Sequence, residues 1–317
     1  MNIVSIPLEE IREDFFFRFN AGGEMDSLKR SVAESGIRTP LHVLKNEGGH
    51  RLLSGFGRLE AAKALGLKSI PASVCPESSN VKELFKEILL EHLTCRTLGL
   101  VEKAHILRIL DGIGSSWESV KDRFLPVIDV PANPEIVEEL KGVLRFSPSA
   151  QRYIGIYNLS LRQTRMFREL SSAQQDCVVA LALKLQIRSV ELSEIVTMAR
   201  EISLRDEIPI EEVFTHPEIV GTLENGEFAR NEKLLRLKEH LRKKRHPRLS
   251  AWNDALETAK QNMGLPSNVA LSWDCSLERP GIELQARITT VEEFRGIASL
   301  LAKEENVHQI EAMLNVV

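Results

Sequence analysis

Hydrophobic and polar positions along the chain switch between two periods. Leu28 and Val32 stand at i and i+4 behind Asp26 and Ser27, a pattern that predicts a capped helix closing at Gly36. Residues 39–44 read as a strand, Asn46-Glu47-Gly48-Gly49 as a hairpin turn, and 51–54 as a second strand. Gly55-Phe56-Gly57-Arg58 follows at once and leads into a helix over 59–65, stopped by Gly66, with a third strand at 69–75. From 80 to 95 the period is helical, with Val81, Leu84, Phe85 and Ile88 on one stripe whose continuation reaches Glu91 and His92. Polar side chains on an inward stripe are either satisfied core residues or site residues, because an unpaired buried carboxylate is costly.

Residues 101–203 read as consecutive helices, among them 161–170, 174–184 and 190–200. Candidate helices at 116–124 and 133–144 follow a helix-turn-helix order, although the 126–131 loop between them is long for that motif. The second carries Glu135, Glu138 and Glu139 against Lys141, and carboxylates repel phosphate. It is either a bundle helix with a solvated acidic face or a DNA reader. Toward the end, a helix from Ser250 stops at Met263-Gly264-Leu265-Pro266. Val269, Leu271, Trp273 and Cys275 then alternate with polar or small residues, as do Ile282, Leu284, Ala286 and Ile288 after an Arg279-Pro280-Gly281 turn. Thr290-Val291-Glu292-Glu293 forms a capping box for a helix striped by Phe294, Ile297, Ala298 and Leu301. An α-β-β-α unit with two strands buries little alone, so pairing with a second copy is the expected completion.

Composition narrows the class. The chain has 317 residues, 43% apolar, 27% charged and only 5% aromatic, which suits a folded, water-soluble, predominantly helical α+β protein and not an all-β sandwich. A net charge of −4 excludes a global positive field, so any nucleic-acid surface must be local. One local patch exists: residues 230–248 hold nine basic residues, including Arg242, Lys243, Lys244, Arg245 and Arg248, against Glu232 and Glu239. It reads equally as a solvated helix with linker and as a phosphate-contacting DNA-binding arm. Cys75, Cys95, Cys177 and Cys275 are scattered without a C-x-x-C pair, which points to a reducing cytoplasm and away from a disulfide framework or zinc knuckle. Neither a basic, apolar leader nor a membrane-length apolar run is expected.

A Gly-x-Gly followed by Arg at a strand-to-helix junction combines free backbone N–H groups with a guanidinium, an anion site in outline. The segment Gly36-Ile37-Arg38-Thr39-Pro40-Leu41-His42-Val43, followed by Leu53-Ser54-Gly55-Phe56-Gly57-Arg58-Leu59-Glu60-Ala61-Ala62, resembles the N-terminal domain of the ParB chromosome- and plasmid-partition family. The family's E-N-x-x-R motif has its counterpart in Glu91-His92-Leu93-Thr94-Cys95-Arg96, with Leu98, Glu102 and Ala104 beyond it. The ending looks like the family's dimerisation domain, and the helical middle sits where its helix-turn-helix domain would be.

That resemblance implies a ParB/sulfiredoxin-like α/β domain over 1–100 and a degenerate helix-turn-helix domain over 101–205. A basic helical linker would span 206–249 and an α-β-β-α dimerisation domain 250–317. It implies a homodimeric DNA clamp gated by CTP and Mg²⁺, nucleoid-associated in the cytoplasm, acting in partition or nucleoid organisation with or without a partner ATPase. Gly55, Phe56, Gly57 and Arg58 would then meet the phosphates, with His92 beside them. Glu91 would sit near the metal or the attacking water of a weak CTPase, and Arg96 would clamp the triphosphate. Two departures stand out: Gly57 replaces the first arginine of the family's box, and His92 replaces an asparagine, imidazole being a poor ligand for Mg²⁺. The same fold resembles sulfiredoxin, but Phe56 occupies the position of that family's cysteine, so no thiolate nucleophile is expected there. His50, in the hairpin, reads as a surface residue. Two other functions remain open: an adaptor that keeps fold and dimer without binding nucleotide or specific DNA, and a phosphate-chemistry enzyme such as a nuclease or kinase-like relative.

Overall fold

The computed structural model describes residues 2–12, 15–19 and 25–316. The chain divides into two compact units, Met1–Glu191 and Leu192–Val317. The first begins with a strand absent from the sequence reading, β1 (Asn2–Pro7), and a short β2 (Ile11–Arg12). Helix α1 (Met25–Ser35) starts earlier than its expected cap, so Asp26 and Ser27 belong to its first turn. Then come β3 (Leu41–Asn46), β4 (Gly49–Ser54), α2 (Phe56–Ala64), β5 (Ser69–Cys75), α3 (Val81–Cys95) and α4 (Leu100–Gly112). The five strands run in the order β1-β5-β3-β4-β2. β5 pairs antiparallel with β1 and parallel with β3, β3 pairs antiparallel with β4, and β2 runs parallel to β4.

Strand alternation sends Leu41, Val43, Leu52, Ile70 and Ala72 into the core, where each is fully buried. α3 is capped by Asn80, whose side chain accepts from the Lys82 N–H at 3.0 Å. Its stripe buries Phe85, Ile88 and Leu89. The chain is α+β and predominantly helical, as its sequence indicates.

The middle helices are joined differently from expectation. The segment 116–124 is a single helical turn, Trp117–Ser119, that runs into a π turn. A tighter helix-to-helix connection lies later, where Pro134–Gly142 passes through a 3₁₀ turn, Val143–Arg145, into Pro148–Ile156. Buried Gln175 pins that turn, accepting from the Ser147 N–H (2.7 Å) and donating to the Phe167 and Leu170 carbonyls (3.0 and 2.9 Å). Gln151 closes it from the other side through the Leu144 and Phe146 carbonyls.

In the second unit the basic segment is one helix, Arg230–Arg245, whose Leu234, Leu237 and Leu241 are buried. Pro247–Asn262 precedes the hairpin of β6 (Val269–Trp273) and β7 (Ile282–Ala286), with Leu271 opposite Leu284. Helices Val291–Leu301 and Glu304–Leu314 follow, the last absent from the sequence reading, and its Met313 joins Leu256, Ala259, Met263 and Leu271 in a small core. The expected stripe of Val291–Leu301 is only partly covered: Ile297 is buried, while Phe294 is 56% exposed and Leu284, Ile288 and Val291 are also open. No helix is long and apolar enough to cross a membrane among the described residues.

Candidate functional site

Four neighbouring strands of the first unit, from the edge strand β1 through β5 and β3 to β4, bring a row of residues into register across the sheet. Ile3 on β1 lies opposite Ser73 on β5, Ser73 beside His42 on β3, and His42 opposite Ser54 on β4. All four line one cleft of about 560 Å³, together with Thr39, Pro40, Arg58, Glu91, His92, Thr94 and Arg96. The row is its floor, and the end of α3 supplies Glu91 and His92. This volume lies within the range of small-ligand sites.

Arg58 stands in the first turn of α2. Its Nη1 donates to the carbonyl oxygens of Thr39 (2.6 Å) and Pro40 (2.7 Å), which fixes the guanidinium against the loop before β3. Gly55 makes this geometry accessible: its φ is +101°, and a Cβ would stand 3.0 Å from Leu41 Cγ and 3.3 Å from Arg58 Nη2. Burial pulls the Arg58 pKa down and the Glu91 carboxylate opposes that, in a group that stays charged at neutral pH.

The rest of the glycine box packs instead of facing the cleft. Phe56 is buried and stacks on Phe15 with centroids 6.2 Å apart. Gly57 is turned toward α1, where a Cβ would stand 3.1 Å from Leu28 Cδ2. An arginine side chain at 57 would start against α1, so the missing family arginine has a packing cause. Gly55, Phe56 and Gly57 offer an anion only their backbone N–H groups.

On α3, Glu91 lies at the rim, its Oε2 3.2 Å from His42 Nε2. His92 is half-buried, its Nε2 3.3 Å from Ser54 Oγ and its ring edge-on to Phe19 at 5.1 Å. Burial first, then the Arg96 and Arg58 charges, push the His92 imidazole below its ordinary value. At neutral pH it is therefore a neutral hydrogen-bonding group. Arg96 is ion-paired with Glu102 at 2.7 Å, and Glu102 also accepts from the Gly99 N–H at 2.9 Å, closing the start of α4. Ser73 is the exception in this satisfied set, since its buried hydroxyl has no hydrogen-bond partner. Among the described residues no cluster of three or more His, Cys, Asp or Glu groups suits a metal ion. A magnesium ion here would rest on Glu91 and on phosphate oxygens, a ligand set that such ions accept. Of the described cysteine side chains, Cys75, Cys177 and Cys275, none lines the cleft, and burial raises the Cys75 thiol.

Residues 1–85 match the family model of the ParB N-terminal domain. The chain thus carries a ParB-like N-terminal domain. It is 28% identical over 127 residues to the chromosome-partitioning protein ParB of Myxococcus xanthus, a match covering 38% of this chain and 41% of that one. The match therefore spans less than half the length of that relative. It is 32% identical over 92 residues to a chloroplastic/mitochondrial sulfiredoxin of Arabidopsis thaliana, covering 29% of this chain and 68% of that one. Two structures of the C-terminally truncated ParB of Caulobacter crescentus also match. One, complexed with CTP-gamma-S, is 20% identical over 57% of this chain and 97% of that one, with a TM-score of 0.28. The other, complexed to the centromeric parS site, is 16% identical over 61% and 97%, with a TM-score of 0.28.

Two further expectations for this ParB-like chain change once side chains are placed. His50 is not a free surface residue: it is partly buried beside Glu10, its Nδ1 3.7 Å from that carboxylate. The basic segment is not an open arm, because Arg242 pairs with Glu194 (2.9 Å), Lys243 with Asp254 (3.2 Å) and Arg245 with Glu201. Lys244 and Arg248 form no ion pair at contact distance among the described residues, although the Lys244 charge helps to lower the Asp206 carboxylate. Glu139 of the supposed reading helix is clamped by Arg165 at 2.7 Å and by Arg168, while Lys141 holds Glu138 and Asp111. A second basic stretch escaped the reading: from 145 to 168 there are five arginines, all exposed, and no acid. Counting charge in short windows would have found it.

His92 and His105 share one titration consequence, since burial depresses both imidazoles. The unfolded chain binds more protons than the folded one just below pH 6.5, so stability falls as pH drops through that window. Urea midpoints measured between about pH 7.5 and 5.5 should decline, and His92→Asn should reduce the decline. An unchanged slope in His92→Asn would mean that the ring is not held neutral by its surroundings.

Proposed function

We propose that this ParB-like chain is a DNA-associated homodimer acting in chromosome or plasmid partition or nucleoid organisation. Its first hundred residues would be a switch gated by a nucleoside triphosphate, followed by a helical segment to 205, a basic helical segment to 249 and a dimerisation module. The observation that carries the nucleotide reading is the convergence of Arg58, Glu91, His92 and Arg96 on one cleft. CTP is the nucleotide to which the family resemblance points. Arg58 is pre-aimed by Thr39 and Pro40, and Nη1 takes both of those bonds, which leaves other guanidinium donors for phosphate. Magnesium, if used, would be held by Glu91 and the phosphates and would screen their charge; His92, being neutral, would donate or accept a hydrogen bond instead of ligating it.

The gate in this reading is Glu102. A triphosphate competing for Arg96 takes it from the carboxylate that also caps α4, so ligand binding acts directly on the entry to the helical segment. For DNA, we assign the reading helix to Pro148–Ile156 and not to 133–144. Arg145, Arg152 and Arg162 have no acidic partner among the described residues, whereas the glutamates of the preceding helix repel phosphate or are already clamped. Lys244 and Arg248 would add backbone contacts. The open Leu284, Ile288, Val291 and Phe294 would be covered by a second copy. The adaptor reading is favoured by a different observation: Arg58, Arg96, Arg242, Lys243 and Arg245 are all engaged within the chain without any ligand.

Calorimetry should show CTP binding, and Arg58→Ala should weaken it by about 2 kcal/mol, the worth of a charge-assisted phosphate contact. No binding of any nucleoside triphosphate at millimolar concentration would put the adaptor first. For DNA, alanine at Arg145, Arg152 and Arg162 should flatten the salt dependence of affinity by about 0.9 log units per lost phosphate contact. A larger loss from alanine at Lys244 and Arg248 would move the contact to the second unit. Sedimentation of Phe294→Asp should give a monomer, and an unshifted dimer would place the interface elsewhere.

A further inference from the structure

The proposed nucleotide reading concerns mainly the charged end of the cleft. Its other end has a distinct chemistry that belongs to this chain's own residues. Ser73 is only 5% exposed and lines the cleft, yet its Oγ has no hydrogen-bond partner. A buried, unpaired hydroxyl is destabilising, and nearly all buried polar side chains find partners. Its row neighbours do: His42 reaches Glu91, and Ser54 reaches His92. Next to Ser73, on the edge strand, Ile3 is 65% exposed and lines the same cleft. Arg58 is anchored at the opposite side, on the loop entering β3, two strand spacings or about 10 Å from β1. The floor thus runs from a cation, through a histidine, to an unsatisfied hydroxyl and an apolar side chain.

We propose that Ser73 is a specificity-determining residue of this cleft, its hydroxyl hydrogen-bonding a polar group of the nucleoside while Ile3 packs against the nucleoside's apolar surface. This rests on the nucleotide reading above and extends it to the end of the ligand that distinguishes one nucleotide from another. The polar group is a ribose hydroxyl or a base edge, both of which pair with a serine hydroxyl as donor or acceptor. The orphaned hydroxyl is then a cost borne by the free protein and recovered on binding.

The test uses the full chain, with CTP, dCTP and inorganic tripolyphosphate as calorimetric probes. Ser73→Ala should weaken CTP about five-fold, one neutral hydrogen bond, while leaving tripolyphosphate unchanged. If the ribose 2′-hydroxyl is the partner, dCTP binds wild type and Ser73→Ala equally; if the 3′-hydroxyl or the base edge is, dCTP loses the same factor as CTP. Without ligand, Ser73→Ala should melt no lower than wild type, because it deletes a group without a partner. Equal CTP affinity in wild type and Ser73→Ala, equal losses for CTP and tripolyphosphate, or a lower melting temperature would each overturn the assignment while leaving the nucleotide reading standing. Failure of wild type to bind any of the three probes would overturn both.

Discussion

The register of β1, β5, β3 and β4 is the constraint on which the site depends. Side chains alternate across a sheet, so a slip of one residue would send Ser73, His42 and Ser54 to the opposite face and bring their apolar neighbours into the cleft. The buried side chains of Leu41, Val43, Leu52 and Ala72 oppose such a slip, because each would lose its place in the core. The row of polar floor residues is therefore held in place by the apolar residues between them. α3 depends on the same arrangement: Phe85, Ile88 and Leu89 seat the helix, and Glu91 and His92 follow on its last turn.

The basic residues show why counting charges does not locate an anion site. Arg58 draws its importance from two backbone carbonyls that fix its direction, and Arg96 from sharing Glu102 with the N-terminus of α4. The densest basic segment, Arg230–Arg245, is partly neutralised by Glu194, Glu201 and Asp254. Exposed pairs of this kind contribute little to stability, but they do alter the charge presented to a polyanion. The sparser arginines between 145 and 168 are only partly paired, so they leave more positive charge open.

Much of the first unit was legible from the chain alone. The 3.6-residue period over 80–95, the turn at Asn46-Glu47-Gly48-Gly49 and the glycine box are local signals; the structure keeps α3 and the β3–β4 hairpin where those signals put them, while α2 begins at Phe56, three residues earlier than read, so that Phe56, Gly57 and Arg58 form its first turn. The proximity of Arg58 to Glu91 and Arg96 was also anticipated, through the resemblance of two separated motifs. β1 carried too short a pattern to be read, and Glu304–Leu314 lay beyond the last stripe considered.

Sequence by itself determined the helical and strand periods, the capping residues and the family, because these depend on neighbours a few positions apart. Tertiary structure alone decided which polar residues share the cleft. Ile3, His42, Ser54 and Ser73 come from four strands, and only hydrogen-bonded register aligns them. It also decided that Phe56 and Gly57 pack while Arg58 faces the cleft, since that choice depends on Phe15 and Leu28 arriving from earlier in the chain. The same holds for charge: Glu194 lies forty-eight residues from Arg242, and no local pattern foretells that pairing.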